Sequence, residues 1–351
     1  MAARSSTSPP KCTYLLTADI DGAGLPAITT PITLNGGKHT TIKRAAGVDP
    51  FRILTVNAGG DLTLNHLTIT GGHTTGDGGG ILVNTGGTLA VHHSTTTLNI
   101  ASDDGGGIAN NGTTTVTRST VSHNTCDSDG CGIFNSNGLL TVSKSHVNAN
   151  TGDGIGAGIG SLGGTVQITR STAKNNRNNV IGGGVGLFNT VGVITATDIV
   201  GNTTGILGGG LWALGGQLFV KDVTVARNTA VTGNGGGLLI DKETTARIED
   251  SLVKGNFANV LGGGLLNEGN TQLLRTKIAG NQAGGQGGGI FNSAAGTVRL
   301  FTTEVVKNVA VTDGGGIFND GGTVELNTAT GTIVVKNRPD NCAGDVPGCV
   351  G

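Results

Sequence analysis

Proline is scarce in this chain, 7 in 351 residues, while glycine supplies 66. That ratio excludes a collagen-like triple helix and a proline-rich linker. Aromatic residues make up 3% and charged residues 13%. So little charge is not the composition of a disordered chain, and no apolar run is long enough for a helical membrane span. The formal net charge of -1 leaves no electrostatic footprint for nucleic acid, which is not expected as a partner. No HExxH, GxSxG or P-loop is present, and no GxGxxG stands between a strand and a helix. A tandem Ca²⁺-binding nonapeptide is also missing, and no cofactor is implied. The opening "MAARSSTSPP" lacks the apolar segment of a signal peptide.

Cysteine is used sparingly, at five positions. Cys126 and Cys131 bracket a short loop, and Cys342 and Cys349 lie close together. Two local disulfides with Cys12 left over is the simplest pairing. It would place the protein outside a reducing compartment, secreted or at the cell surface, whereas five free thiols would fit the cytoplasm. A zinc set of His123, Cys126 and Cys131 matches no common spacing.

What is abundant is repetition. A phrase like the "DGGGIFND" of Asp313–Asp320 recurs about every 26 residues, its third glycine at Gly80, Gly107, Gly132, Gly158, Gly184, Gly210, Gly237, Gly264, Gly289 and Gly316. So steady a period means stacked units. No helical pattern fits inside one unit. Each carries three short alternating runs, which predicts an all-β, single-stranded right-handed parallel β-helix of about 11–13 coils. Residues 1–40 are expected as tail and cap, 41–337 as the solenoid, and 338–351 as the C-terminal cap.

Columns follow from the period. Val91, Val116, Val142, Ile168, Ile194, Val220, Ile248 and Leu300 read as an aliphatic core stack. Asn99, Asn124, Asn150, Asn176 and their successors to Asn337 read as an asparagine ladder. The "GGGIxN" and "SxVxxN" phrases resemble right-handed β-helix proteins of the pectate-lyase-like superfamily, above all the glycine-rich GGGI/GGAI repeat proteins of bacterial surfaces. The resemblance covers about residues 41–337. It implies the fold and leaves lyases, hydrolases, epimerases, adhesins and scaffolds all open, because no catalytic motif of the superfamily matches residue by residue.

The residue three before each last glycine forms a column of Asp77, Asp104 and Asp129, then Ile181, Leu207, Asn234, Leu261, Gln286 and Asp313. Three stacked carboxylates repel, which should raise at least one pKa. Such a cluster suits acid/base chemistry, or a Ca²⁺ site on Asp77, Asp104 and Asp129; aspartate is equally a good turn residue. His73 and His123 fall near this turn as candidate proton relays, and Asp127 and Asp153 as substrate contacts. The outward positions of the first run form an apolar stripe with Phe134 and Trp212, small at Ala109, Gly160 and Gly186. A depression beside the acids is expected there, either to bind a substrate or to pair two copies of the chain. A basic column reads His66, His93, Arg118, Lys144 and Arg170.

The leading functional expectation is an enzyme acting at a C–O bond, a lyase, dehydratase or glycoside hydrolase. Asp104 and Asp129, helped by Asp77, would be acid and base toward a small-molecule or carbohydrate substrate. The alternative is a non-catalytic adhesin or scaffold.

Overall fold

The computed structural model describes residues 12–350. It is a right-handed parallel β-solenoid of about 13 turns, with about 26 residues per turn. Among the described residues helix is confined to one 3₁₀ turn, Thr328–Thr330. No helix of the described residues is long and apolar enough to cross a membrane.

Each strand pairs in parallel with its counterpart one coil away. Ile81–Val83, for example, lies between Leu54–Val56 and Ile108–Asn110. Strict alternation sends every second side chain inward. Leu54, Ile81, Ile108, Ile133, Leu211 and Ile317, aligned along the first ladder, are fully enclosed. The second ladder stacks the expected column from Val91 to Leu300 and adds Leu273 between Ile248 and Leu300. These columns belong to one continuous core that runs the length of the molecule.

The three expected ladders are joined by a fourth that the sequence does not announce. Pairs such as His73–Thr74, Ile100–Ala101 and Thr125–Cys126 build a separate 10-stranded sheet. Two residues per coil are too few to show alternation.

The asparagine ladder is continuous. From Asn99 to Asn337 each Nδ2 donates to the Oδ1 of the next coil at 2.9–3.0 Å. Each also donates to a carbonyl of the preceding coil, as Asn176 does to Val147. The Oδ1 accepts the backbone N–H of the coil below, as Asn176 does from Asn150 at 3.0 Å. Amide groups that would be buried and unpaired at the corner are thereby satisfied.

Of the glycine positions in each phrase, whose middle one is Cys131 or Ala157 in two coils, only the first needs a positive φ, 66° at Gly105. The third is required by proximity. A Cβ on Gly107 would lie 2.5 Å from the Gly132 carbonyl oxygen and 2.9 Å from the ladder amide of Asn124.

Both local disulfides are present, Cys126–Cys131 and Cys342–Cys349, and Cys12 is free. Cys126 and Cys131 are therefore not zinc ligands.

Candidate functional site

The acidic turn sits where the fourth ladder leads into the glycine phrase. The three aspartates occupy equivalent places on successive coils, and their carboxylates are engaged by backbone. Asp77 Oδ1 accepts the Asp104 N–H at 3.2 Å. Asp104 Oδ1 accepts the Asp129 N–H at 2.9 Å, and Asp129 Oδ1 accepts the Ile155 N–H at 2.5 Å. Further along the same column Asn234 does the same for Leu261 at 3.0 Å. The column is thus a second side-chain ladder, in which aspartate and asparagine play one role.

Charge accumulates there nonetheless. Burial pushes the Asp104 carboxyl up to about 6; the charges of Asp129 and Asp77 add to the effect, while hydrogen bonds from the Asp129 N–H and the Ser128 hydroxyl oppose it. Asp129 is also raised by burial and by the charge of Asp103, against the bond from Ile155. Asp77, Asp103 and Asp104 bring one carboxylate oxygen each to within 4.8 Å of one another. An all-oxygen set of this kind suits a hard cation such as Ca²⁺. The trio differs from the one expected, since the exposed Asp103 stands in it and Asp129 does not.

Sequence reasoning missed Arg52. Its guanidinium donates to the Asp77 carbonyl at 3.2 and 2.9 Å, and burial lowers its pKa against the charge of Asp77. In that coil Phe51-Arg52-Ile53 stands where later coils have three glycines, so a cation caps the acidic column from below.

The two histidines do not converge. His73 belongs to the fourth ladder, where its counterparts are Ile100 and then Thr125. His123 is two residues before Thr125, exposed, on the corner just ahead of Asn124, with φ at 55°. Among the described residues no hydrogen bond or ion pair joins either ring to an aspartate. Asp127 and Asp153 are both exposed, and Asp153 accepts a bond from the Asn179 amide.

The apolar stripe does face out of the tube, as the alternation requires, but it is not open. Phe134 and Trp212 are 4% and 3% exposed. Trp212, Leu239, Leu266 and Phe291 form a cluster separate from the main core, covered by Ile155, Ile181, Leu207 and Leu261 of the glycine-phrase turn. Phe188 stacks on Trp212 with ring centroids 6.5 Å apart. The depression expected at Gly160 and Gly186 is filled: a Cβ on Gly186 would meet Ile155 Cγ2 at 2.5 Å. Three of the covering residues, Ile181, Leu207 and Leu261, stand in the aspartate column as the sequence reads it, but their covering role does not show there; the fourth, Ile155, follows Asp129 in the same column and was not read.

A second acidic corner also went unread. Asp241, Glu268, Ser293 and Asp320 follow the register that aligns Ile240, Asn267, Asn292 and Asn319. Burial raises the pKa of Glu268, and the charge of Asp241 and a hydrogen bond to it add to the shift. A shallow cleft of about 430 Å³ adjoins it, with Lys242, Asn270 and Arg299 on its walls.

No protein-family model matches the chain, and neither a curated protein nor a solved structure does.

Proposed function

We propose that the chain serves as a non-catalytic solenoid scaffold, a rigid rod whose side chains are presented at fixed intervals of about 4.8 Å. The observation that carries this reading is the use of Asp77, Asp104 and Asp129 as backbone acceptors in a position that Asn234 fills with the same bond. Residues chosen for that bond need no catalytic reason to be acidic. The covered stripe agrees, since Trp212 belongs to an internal cluster, Phe134 is buried as well, and neither offers surface to a substrate. The repeat's likeness to the pectate-lyase-like proteins is compatible, because that superfamily includes scaffolds and adhesins as well as enzymes.

A second reading, a C–O lyase or glycoside hydrolase working through Asp104, is favoured by one observation. A carboxyl titrating at about 6 beside Asp77 and Asp103 holds its proton close to neutral pH, as a general acid must. Incubating the protein with neutral and acidic polysaccharides, and assaying new reducing ends and unsaturated products, decides between them. The scaffold reading predicts no product. Product that disappears in Asp104→Asn would overturn it.

A further inference from the structure

The charges of the first half of the solenoid are segregated and, among the described residues, form no ion pair, whereas several of those in the second half pair with one another. All six ion pairs among the described residues lie between Lys221 and Glu325. Between residues 62 and 197 every carboxylate belongs to the glycine-phrase turn: Asp77, Asp103, Asp104, Asp127, Asp129 and Asp153. The permanent cations of that stretch are Arg118, Lys144, Arg170, Lys174 and Arg177. The first three stand on the corner between the second and third ladders, above His66 and His93, whose rings stack at 4.9 Å. All five corner residues are exposed and share a left-handed backbone, with φ of 48–55°. That conformation is costly for side chains other than glycine. Backbone bonds from coil to coil hold it, such as Arg118 N–H to the Ser143 carbonyl at 3.0 Å. The result is a basic ridge with one side chain per coil.

The exposed acids also recur coil by coil. Asp103, Asp127 and Asp153 stand on three consecutive coils, Asp127 and Asp153 in register and Asp103 one residue further along its coil, and each of those coils continues to Arg118, Lys144 and Arg170 respectively. Ridge and acidic edge therefore cover the same coils, at the same pitch of about 4.8 Å, on separate edges of the tube. We infer that the basic ridge is a docking surface for the acidic edge of a second copy of this chain. The two solenoids lie side by side with their axes parallel, and one base–acid pair forms per coil. The contact joins two different surfaces, so each bound copy leaves a ridge and an edge free and rows can grow. The inference is independent of whether the acidic turn is catalytic.

Sedimentation of the full chain tests it. The weight-average mass should rise with protein concentration in about 10 mM salt, where the Debye length is about 30 Å, and return to the monomer near 0.5 M, where screening is complete within a few Å. The triple variants Arg118→Glu/Lys144→Glu/Arg170→Glu and Asp103→Lys/Asp127→Lys/Asp153→Lys should each stay monomeric in low salt. Mixed in equal amounts they should associate again, because each then offers what the other's surface needs. Circular dichroism establishes that both variants are folded. Three results would overturn the proposal: a wild-type chain monomeric at low salt, association that persists at high salt, or folded variants that fail to associate when mixed. A monomeric wild type retained by a polyanion column in low salt would hand the ridge to a different partner and count against this one.

Discussion

Replacing Asp104 by asparagine should stabilise the protein at neutral pH and leave it unchanged in acid. The folded-state pKa is about 6, above the value of about 3.9 expected for the unfolded chain. Between these values the native state holds a proton that the unfolded chain has lost. Stability contributed by the protonated form is present below about pH 4 and is lost as the pH rises through 6. Two pKa units correspond to about 3 kcal/mol, but Asp104 is only half-buried, and solvent screening brings this to about 1 kcal/mol. Asparagine keeps the Oδ1 that accepts the Asp129 N–H, as Asn234 does for Leu261, and removes the buried charge. For 351 residues an unfolding entropy of about 2.1 cal/mol/K per residue makes 1 kcal/mol equivalent to about 1–2 °C. Scanning calorimetry of both proteins at pH 4, 6 and 8 should show the variant's advantage opening with pH. A variant less stable at pH 8, or a difference that does not vary with pH, would refute the reasoning.

Other positions make different demands. Asn176→Ala leaves the Asn150 backbone N–H without its acceptor in a buried corner and removes the side-chain bonds to Asn202 Oδ1 and the Val147 carbonyl, and should cost about 2–4 kcal/mol in denaturant unfolding. Gly152→Ala would set a Cβ 2.0 Å from Cys131 Sγ. It should lower the melting temperature of the oxidised protein, and thiol counting on the denatured, unreduced wild type should find one thiol. Trp212→Ala removes the largest member of the outer cluster and should cost about 3–5 kcal/mol. In the wild type the indole should emit as a buried tryptophan and resist aqueous quenchers.

The fold was legible because a parallel solenoid turns sequence period into physical stacking. Every column that repeats a residue type, from Val91 to Leu300 or Asn99 to Asn337, occupies one line of the tube. What escaped were features without a repeat of their own. The fourth ladder is two residues wide, and its members His73, Ile100 and Thr125 share no chemistry. The left-handed corners were invisible because His93, Arg118 and Lys144 are not the residues that signal positive φ. The stripe was assigned to the correct side of its strand, yet its exposure depends on side chains of a loop about five residues away, which alternation does not address. Arg52 and the Asp241–Glu268 corner were missed for a related reason: each stands where the surrounding repeat has a different residue type.

That the acidic column is a backbone ladder can be read amide by amide. Hydrogen exchange of the Ile155 N–H, followed by NMR in Asp129→Asn and Asp129→Ala, isolates a single rung. Protection should be largely retained in the asparagine variant, whose neutral Oδ1 still accepts the bond, and fall at least tenfold in the alanine variant, in line with loss of a hydrogen bond to a charged acceptor worth about 1.5–3 kcal/mol. Unchanged protection in Asp129→Ala would mean that the carboxylate does not hold that amide, and the aspartates would then need another reason to be there.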